Sequence, residues 1–282
     1  MEELYNNQLA TRRRQGFRAL NRFVMDHTYD VCTSNPDLAA AVAASQQGEY
    51  VVYQDEDIAC PQDGPTVNII ISPRRTFEAA RRYAGQKITV LNFANNHNVG
   101  GSPWTAGAQE ESLCRCSTLY PCLEYMKPKF HDVHKRQFAQ GEIDRWGNDD
   151  LIHTPGVVVF KSDESAPRML PKNEWFAVDV VTGAAPQLSF DETFDEERLF
   201  RVLSSRIEKI LRVAKKEAAE VLILGAFGCG AFRNPPRLVA TAFKSLLEKY
   251  RFETVEFAVF TREDTPDNNF HTFERVFRAP QR

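Results

Sequence analysis

Short runs of β-branched and apolar residues alternate along this chain with stretches of helical period, and this alternation constrains the fold more than any other feature. The runs Ile88–Phe93 and Val221–Leu224 are apolar along most of their length, which is typical of strands buried on both faces of a sheet. The segment 196–214 instead repeats its apolar residues at a spacing of about 3.6, which predicts an amphipathic helix. We therefore expect an α/β fold in which helices cover both faces of a central sheet.

The same periods divide the whole chain into elements. They predict strands over 50–53, 67–71, 88–93, 157–160, 175–181, 221–224 and 255–260, and helices over 8–27, 36–45, 76–84, 107–120, 196–214 and from Pro235 onward. The stretch 126–150 is polar and aromatic without a clear period, and we interpret it as an insertion with one helix. No linker rich in Pro, Gly or Ser divides the chain. Residues 1–282 are therefore predicted to form a single domain, with residues 1–60 as a helical extension packed on it.

Composition disfavours several classes of protein. The chain of 282 residues has a formal net charge of -3, whereas a non-specific nucleic-acid binder carries a basic excess, so we expect no direct DNA binding. No apolar run reaches the roughly 18 residues of a membrane helix, and the first residues lack the apolar region of a secretory signal, so we expect no membrane contact. The six cysteines are dispersed, which is typical of reduced thiols in a cytosol. We expect a cytoplasmic monomer.

A polar loop follows the third predicted strand and contains the pair Gly100-Gly101. Glycine lets the backbone come close to a ligand, and successive N–H groups in such a loop can surround phosphate oxygens. Directly after this loop, Gln109, Glu110 and Glu111 enter the predicted helix. Either feature alone is usually a surface turn or a helix start favoured by acidic residues. Their combination after a buried strand favours a ligand site.

The segment 225–234 is a second glycine-rich loop between a predicted strand and a predicted helix. Such a loop can wrap a diphosphate, and the N-terminus of the helix that follows favours the negative charge. The glycine spacing is G-x-x-G-x-G rather than the G-x-G-x-x-G of dinucleotide-binding folds, and the acidic residue expected about twenty positions later is missing. As a lone motif, the loop is as typical of a tight connection as of a binding site.

Three cysteines and two histidines with metal-ligating side chains lie within one stretch: Cys114, Cys116, Cys122, His131 and His134. Cys114 and Cys116 are two apart on a predicted helix, so their side chains point to different faces, unlike the usual zinc-ligand spacings. We therefore favour small buried thiols over a zinc site. Cys229 has no histidine close in sequence, which disfavours a catalytic thiol there.

Together the two loops resemble those of the microbial-type poly(ADP-ribose) glycohydrolases, a branch of the macrodomain fold. The signature of that family is a Gly-Gly-Gly loop, six to eight residues, and then Gln-Glu-Glu at the start of a helix. The segments of this chain that resemble the family are Gly100-Gly101-Ser102, Gln109-Glu110-Glu111, 90–94, 112–120, 154–160, 180–186 and 225–234. In two departures, Ser102 replaces the third glycine and Val99 stands where the family usually has proline. The resemblance spans about 8–277.

The resemblance implies a three-layer α/β/α macrodomain with a mixed central sheet and an N-terminal helical extension. It also implies hydrolysis of ribose–ribose O-glycosidic bonds of poly(ADP-ribose), or of protein-linked mono-ADP-ribose. Glu111 would be the general acid and then the base, Glu110 would bind the distal ribose hydroxyls, and Phe232 would pack against that ribose. The partners implied are ADP-ribose, poly(ADP-ribose) and ADP-ribosylated proteins, with no metal or other cofactor. The substrate-binding residues implied are Asn98, Gly100, Gly101, Ser102, Gln109, Thr182, Gly225, Ala226, Phe227, Gly228, Cys229, Gly230, Ala231 and Phe232.

Three functional classes therefore compete. The first is a glycohydrolase, and the second is a reader module that binds ADP-ribose without turning it over. The Gln-Glu-Glu triplet favours the hydrolase, because a pure binder needs no acid beside the ribose. The third is a nicotinamide-dependent oxidoreductase, which the missing dinucleotide fingerprint disfavours.

Overall fold

A mixed seven-stranded sheet lies at the centre of the computed structural model, which describes residues 2–188, 193–263 and 265–279. The strands are β1 (Tyr50–Val52), β2 (Asn68–Ser72), β3 (Ile88–Phe93), β4 (Leu151–Val159), β5 (Phe176–Gly183), β6 (Val221–Leu224) and β7 (Thr254–Ala258). They lie in the order β1-β4-β5-β3-β6-β7-β2. All seven predicted strands are present, with boundaries that shift by up to six residues at the start of β4.

The sheet combines two directions of pairing. β4 pairs antiparallel with both β1 and β5. The remaining neighbours, from β5 through β3, β6 and β7 to β2, pair in parallel. Consequently the carboxyl ends of five strands meet at one edge of the sheet, which is where α/β folds bind their ligands.

Within the residues that the structure describes, ten α-helices surround the sheet. They are α1 (Glu2–Arg12), α2 (Phe17–Ser34), α3 (Pro36–Gly48), α4 (Thr76–Arg81), α5 (Gln109–Cys116), α6 (Leu119–Met126), α7 (His131–Gln140), α8 (Glu196–Lys216), α9 (Pro236–Leu247) and α10 (Asn269–Arg278). The predicted single helix of the 126–150 insertion is α7. Within the described ranges, no helix is both long enough and apolar enough to cross a membrane.

The helices form one layer on each face of the sheet. Alternate side chains of β3 point to opposite faces, as the two-residue period of a strand requires. Leu91 packs into a core with residues of α8, α9 and α10, whereas Val90 packs into a second core with residues of α4, α5 and α6. Both side chains are at most 1% exposed. The predicted three-layer α/β/α arrangement is therefore confirmed.

Two helices predicted as continuous are broken, so those predictions are wrong. The first, over 8–27, is divided into α1, a short 3-10 helix and α2 by Gly16, whose φ of +90° is accessible mainly to glycine. The second, over 107–120, begins only at Gln109 and is interrupted at Ser117. Ser117 is extended, with φ -148° and ψ 179°, and bridges to Val159. This break lets α5 and α6 change direction beside β4.

Helix α10 was not predicted from the sequence. It has Phe270, Phe273 and Phe277 at helical spacing, and the buried Phe273 packs beside Phe257 of β7, with ring centroids 5.5 Å apart. This spacing is the signal that could have revealed the helix.

The N-terminal region is joined to the sheet by a strand and by a buried lysine. β1, within the predicted extension 1–60, pairs with β4. Lys161 lies just beyond β4, and its buried Nζ donates hydrogen bonds to the carbonyl oxygen of Val24 (2.9 Å) and to Oγ1 of Thr28 (2.7 Å) in α2. The same Nζ lies 4.5 Å from the ring centroid of Tyr5 in α1. Both N-terminal helices thus converge on one ammonium group.

Burial lowers the pKa of Lys161 from 10.5 to about 7. Between these two values the unfolded chain binds the proton and the folded chain does not, so the free energy of unfolding rises with pH, by up to about 1.4 kcal/mol per pH unit. We expect this rise between pH 7 and 8.5 in the unmodified protein and not in Lys161→Met, measured by urea denaturation. The exposed Lys249→Met is the control and should keep the rise. Parallel curves for all three proteins would contradict the prediction.

Candidate active site

The two glycine-rich loops line one cavity at the carboxyl ends of the parallel strands. The cavity has a volume of about 430 Å³. The first loop contributes Gly101, Gly107 and Ala108, and the second contributes Ala226, Gly228, Gly230, Ala231 and Phe232. The segments 98–108 and 225–234, which both follow buried strands, thus face each other across one cleft. The start of α5 lies between them, with Gln109, Glu110 and Glu111 in the cavity wall.

Gln109 fixes the start of α5 against the end of β3. Its Oε1 accepts a hydrogen bond from the N–H of Phe93 (2.9 Å), and its Nε2 donates to the carbonyl oxygen of Leu91 (2.7 Å). The same Nε2 also donates to Oγ1 of Thr76, at the start of α4 (3.2 Å). Because both ends of this amide are engaged by protein atoms, Gln109 positions the two glutamates that follow it.

The Glu110 carboxyl lies deep in the wall and is held on both oxygens. Oε1 accepts from Nδ2 of Asn92 (3.3 Å) and Oε2 accepts from the N–H of Asn95 (2.8 Å). The residue is only 3% exposed. Burial raises the pKa of Glu110 well above its usual value, and the charge of neighbouring Glu111 adds to that rise. The two hydrogen bonds lower the pKa but do not reverse the effect of burial.

The Glu111 carboxyl is held on one oxygen. Its Oε1 accepts a hydrogen bond from the N–H of Ser102 (3.1 Å), whereas its buried Oε2 has no hydrogen-bond partner among the described residues. The two carboxylates therefore differ in kind: that of Glu110 is anchored at both oxygens, and that of Glu111 has one oxygen uncommitted.

Gly100 and Gly101 permit this arrangement because both have positive φ, +62° and +67°. A Cβ on Gly101 would lie 2.4 Å from Oε1 of Glu111 and 3.2 Å from Oε2 of Glu110, and a Cβ on Gly100 would lie 2.9 Å from Sγ of Cys114. Ser102 is not among the described residues with positive φ, so the third position of the loop tolerates a side chain. Its N–H bonds the Glu111 carboxylate rather than pointing at a ligand.

The first loop is braced from behind by α2 and α5. Nη1 of the buried Arg115 donates to the carbonyl oxygens of Pro103 and Ala106, both at 2.8 Å. Nδ2 of Asn21 in α2 donates to the same Ala106 oxygen (2.8 Å), and Nε1 of Trp104 donates to Oδ1 of Asp26 (2.7 Å). The extension is thus in direct contact with the loop beside the carboxylates.

The second loop turns at Gly228, whose φ is +72°. A Cβ there would lie 2.4 Å from both Cβ of Ala185 and Nδ2 of Asn234. Nδ2 of Asn234 donates to the carbonyl oxygens of Pro186 (2.8 Å) and Gly228 (3.2 Å), which closes the loop on itself. Gly230 differs, because a Cβ there would meet nothing within 4 Å. It faces open space in the cavity.

Some predicted site residues lie outside the cavity. Thr182 is fully buried behind Glu110, where its Oγ1 accepts a hydrogen bond from Asn92 (3.2 Å). Phe227 is fully buried with its ring 5.8 Å from that of Phe93. The other predicted residues outside the cavity lining are Asn98, Gly100, Ser102, Gly225 and Cys229. Of these, Asn98 and Ser102 line a neighbouring groove.

The sequence reasoning missed several cavity residues, among them Arg75, Phe260 and Asp163. Arg75 and Phe260 come from different ends of the chain, and the Arg75 guanidinium lies 4.0 Å from the Phe260 ring centroid. Asp163 accepts hydrogen bonds from the N–H of Phe77 (2.9 Å) and from Oγ of Ser112 (2.8 Å), so it joins α4 to α5. No local pattern marks these residues, because the sheet edge brings them together only on folding.

The three clustered cysteines are buried thiols, as predicted. Sγ of Cys116 donates to the carbonyl oxygen of Ser162 (3.3 Å) and Sγ of Cys122 to that of Thr118 (3.2 Å). Burial raises the pKa of Cys114, Cys116 and Cys122 alike. It also raises the pKa of the Cys229 thiol, which disfavours a thiolate nucleophile there. In the described part of the chain, no group of three or more His, Cys, Asp or Glu side chains is arranged to hold a metal ion.

Comparison with known proteins gives a consistent result. A family model described as the catalytic domain of microbial-type PARG matches residues 22–162. The crystal structure of poly(ADP-ribose) glycohydrolase from Thermomonospora curvata, bound to the inhibitor ADP-HPD, is 31% identical and has a TM-score of 0.78, over 90% of this chain and 98% of that one. The enzyme of the same name from Deinococcus radiodurans, in complex with ADP-ribose, is 31% identical with a TM-score of 0.72, over 84% and 97%. No curated protein matches the chain at a significant level.

The close approach at Gly101 generates a prediction about stability. Gly101→Ala should lower the free energy of unfolding through the positive φ, which costs about 1–2 kcal/mol for a residue with a Cβ, and through collision with the Glu111 carboxylate, which should add about 1–3 kcal/mol. Gly141→Ala is the matched control, because Gly141 has a φ of +74° and open space around its Cβ position. Urea denaturation should show the larger loss for Gly101→Ala. Equal losses would mean that the loop yields to the methyl group.

Proposed function

This chain belongs to the family of microbial-type poly(ADP-ribose) glycohydrolases, and we propose that its cavity performs the hydrolysis with Glu111 as general acid and base. The bond to be broken joins the anomeric carbon of the distal ribose to a hydroxyl oxygen of the next unit. Its cleavage passes through an oxocarbenium-like transition state, and protonation of the leaving oxygen assists it. Water then adds to the anomeric carbon and loses a proton to the same carboxylate.

The observation that carries this assignment is the uncommitted Oε2 of Glu111. A general acid needs an oxygen that protein hydrogen bonds leave free, and Glu111 in the cavity wall has one, while the Ser102 N–H fixes the other. In Glu110 both oxygens are already held by Asn92 and Asn95. The geometry therefore favours Glu111 for proton transfer and Glu110 for holding substrate.

Glu110 supports this chemistry through its raised pKa. The raised pKa of Glu110 makes its protonated form more accessible, and that form limits the repulsion between the two adjacent acids and can donate or accept a hydrogen bond at a ribose hydroxyl. Its fixed position below the cavity surface suits a group that orients the distal ribose. We propose that Gln109 and Thr182 help to fix the position of Glu110 and do not themselves contact the substrate.

The remaining walls suggest how ADP-ribose lies. With the distal ribose at Glu110 and Phe232, the diphosphate would follow the second loop past Gly228 and Gly230, where the backbone is bare. The adenosine would then reach the wall that contains Arg75 and Phe260. Phe260 is 43% exposed and offers aromatic surface to a base.

The role of Glu111 is tested by Glu111→Gln, which keeps the side-chain size and removes the titratable proton. Because a positioned acid contributes about 10²- to 10⁴-fold to rate, release of ADP-ribose from poly(ADP-ribose) should fall by that factor, while ADP-ribose affinity stays within about threefold. Glu110→Gln is the matched comparison on the adjacent residue, and it should weaken both turnover and affinity. The measurements are initial rates of ADP-ribose release and calorimetric titration. Normal turnover of Glu111→Gln would place the acid elsewhere.

The diphosphate assignment is tested at Gly230. Gly230→Leu puts side-chain atoms in the open space along the second loop, so ADP-ribose affinity should fall at least about tenfold, or 1.4 kcal/mol, by calorimetric titration. The free energy of unfolding should change little, because a Cβ at Gly230 meets no neighbour. Gly228→Leu is the contrasting variant, and it should also lose stability because of the positive φ and the contacts with Ala185 and Asn234. Unchanged affinity of Gly230→Leu would exclude this path for the diphosphate.

A further inference from the structure

A second groove begins where the first cavity ends. It has a volume of about 440 Å³ and lies between the first loop and the helices α6 and α7. Gly101 borders both spaces, and it is the residue whose backbone passes the Glu110 and Glu111 carboxylates. The groove therefore adjoins the proposed point of bond cleavage.

The groove carries cationic and aromatic side chains. The ammonium group of Lys127 pairs with Asp132 at 2.9 Å, whereas Lys135 is exposed and has no ion-pair partner among the described residues. One carboxylate, that of Glu124, also lines the groove, and it accepts a hydrogen bond from the hydroxyl of Tyr29 (3.0 Å). Because Asp132 neutralises Lys127, Lys135 is the one of these two lysines that remains to contact an anionic group at the groove.

Aromatic surface lies on the wall formed by the loop. The half-buried ring of Trp104 is held at 5.1 Å from that of Tyr120, at an interplanar angle of 89°. The bond from Trp104 Nε1 to Asp26 fixes the orientation of the indole. A ring fixed in this way can pack against a ribose or a purine without losing much conformational freedom.

We propose that this groove binds the ADP-ribose unit on the leaving side of the scissile bond, with its diphosphate near Lys135. The inference rests on the proposed function, because it takes Glu111 as the acid. The leaving oxygen must lie beside that acid. The ADP-ribose unit that carries this oxygen would then pass over the backbone at Gly101 and Ser102 and enter the groove. Asn98 and Ser102 then contact the second unit rather than the first. Free ADP-ribose has no unit on the leaving side and therefore does not occupy the groove.

The test is Lys135→Glu, with Lys249→Glu as a control that makes the same charge change at an exposed lysine at the end of α9. For each protein we would measure the KM for poly(ADP-ribose) and the inhibition constant of free ADP-ribose, which fills only the first cavity. Reversal of one partly screened charge should raise the KM about three- to tenfold in Lys135→Glu, and 0.5 M salt should reduce that effect. The inhibition constant should change less than about twofold, and Lys249→Glu should alter neither quantity.

Three results would overturn the proposal. If the KM and the inhibition constant rise together, Lys135 acts on the first cavity; if neither changes, the leaving unit does not enter the groove. A loss confined to mono-ADP-ribosylated protein would assign the groove to a protein segment instead. Failure of the proposed function itself is a separate result, because the unmodified protein would then release no ADP-ribose from the polymer.

Discussion

The active site depends on one close approach, in which the backbone at Gly101 passes two carboxylates with no space for a side chain. This approach lets the Ser102 N–H reach Glu111 and leaves the other oxygen of that carboxylate uncommitted. It requires that the two glutamates have a fixed position relative to the sheet. Gln109 sets that position because its side-chain amide forms hydrogen bonds with backbone groups at the end of β3. A carboxylate without such anchors would turn toward water, since burial of an unpaired acid is costly. The arrangement stores two acids side by side in a wall that solvent barely reaches.

Polar groups in the interior carry the connection between the N-terminal helices and this wall. Lys161 joins α1 and α2 to the end of β4, and Asn21 and Arg115 meet at the carbonyl oxygen of Ala106. Hydrogen bonds of this kind contribute little net stability, but leaving one of these buried groups unpaired costs more than the bond is worth. These hydrogen bonds therefore fix the position of the N-terminal helices more than they add to the stability of the fold. The helical extension acts as part of the scaffold of the loop.

Much of the fold could be predicted from sequence because buried parallel strands have a distinct pattern, as in Ile88–Phe93 and Val221–Leu224, and both were located to the residue. The facing of the two loops followed from the same pattern, since both loops succeed strands of one sheet. The breaks at Gly16 and Ser117 could not be predicted from apolar period alone, because the residues on either side keep the helical spacing. Thr182 and Phe227 were predicted to bind substrate, but the structure buries both outside the cavity, because burial depends on packing from distant elements. Arg75 and Phe260 are separated by most of the chain, and only the sheet order makes them neighbours.

The hydrogen bonds that hold the first loop have a consequence for which of its residues can change in evolution. Arg115 and Asn21 hold the loop by donating hydrogen bonds to the carbonyl oxygens of Pro103 and Ala106. Every amino acid has such a main-chain oxygen. The identities of Thr105 and Ala106 are consequently free to vary among relatives while the path of the chain is preserved. Selection acts instead on the side chains of Asn21 and Arg115, which lie in separate helices and must be retained together. If main-chain hydrogen bonds hold the loop in shape, related sequences should vary within the loop and retain Asn21 and Arg115.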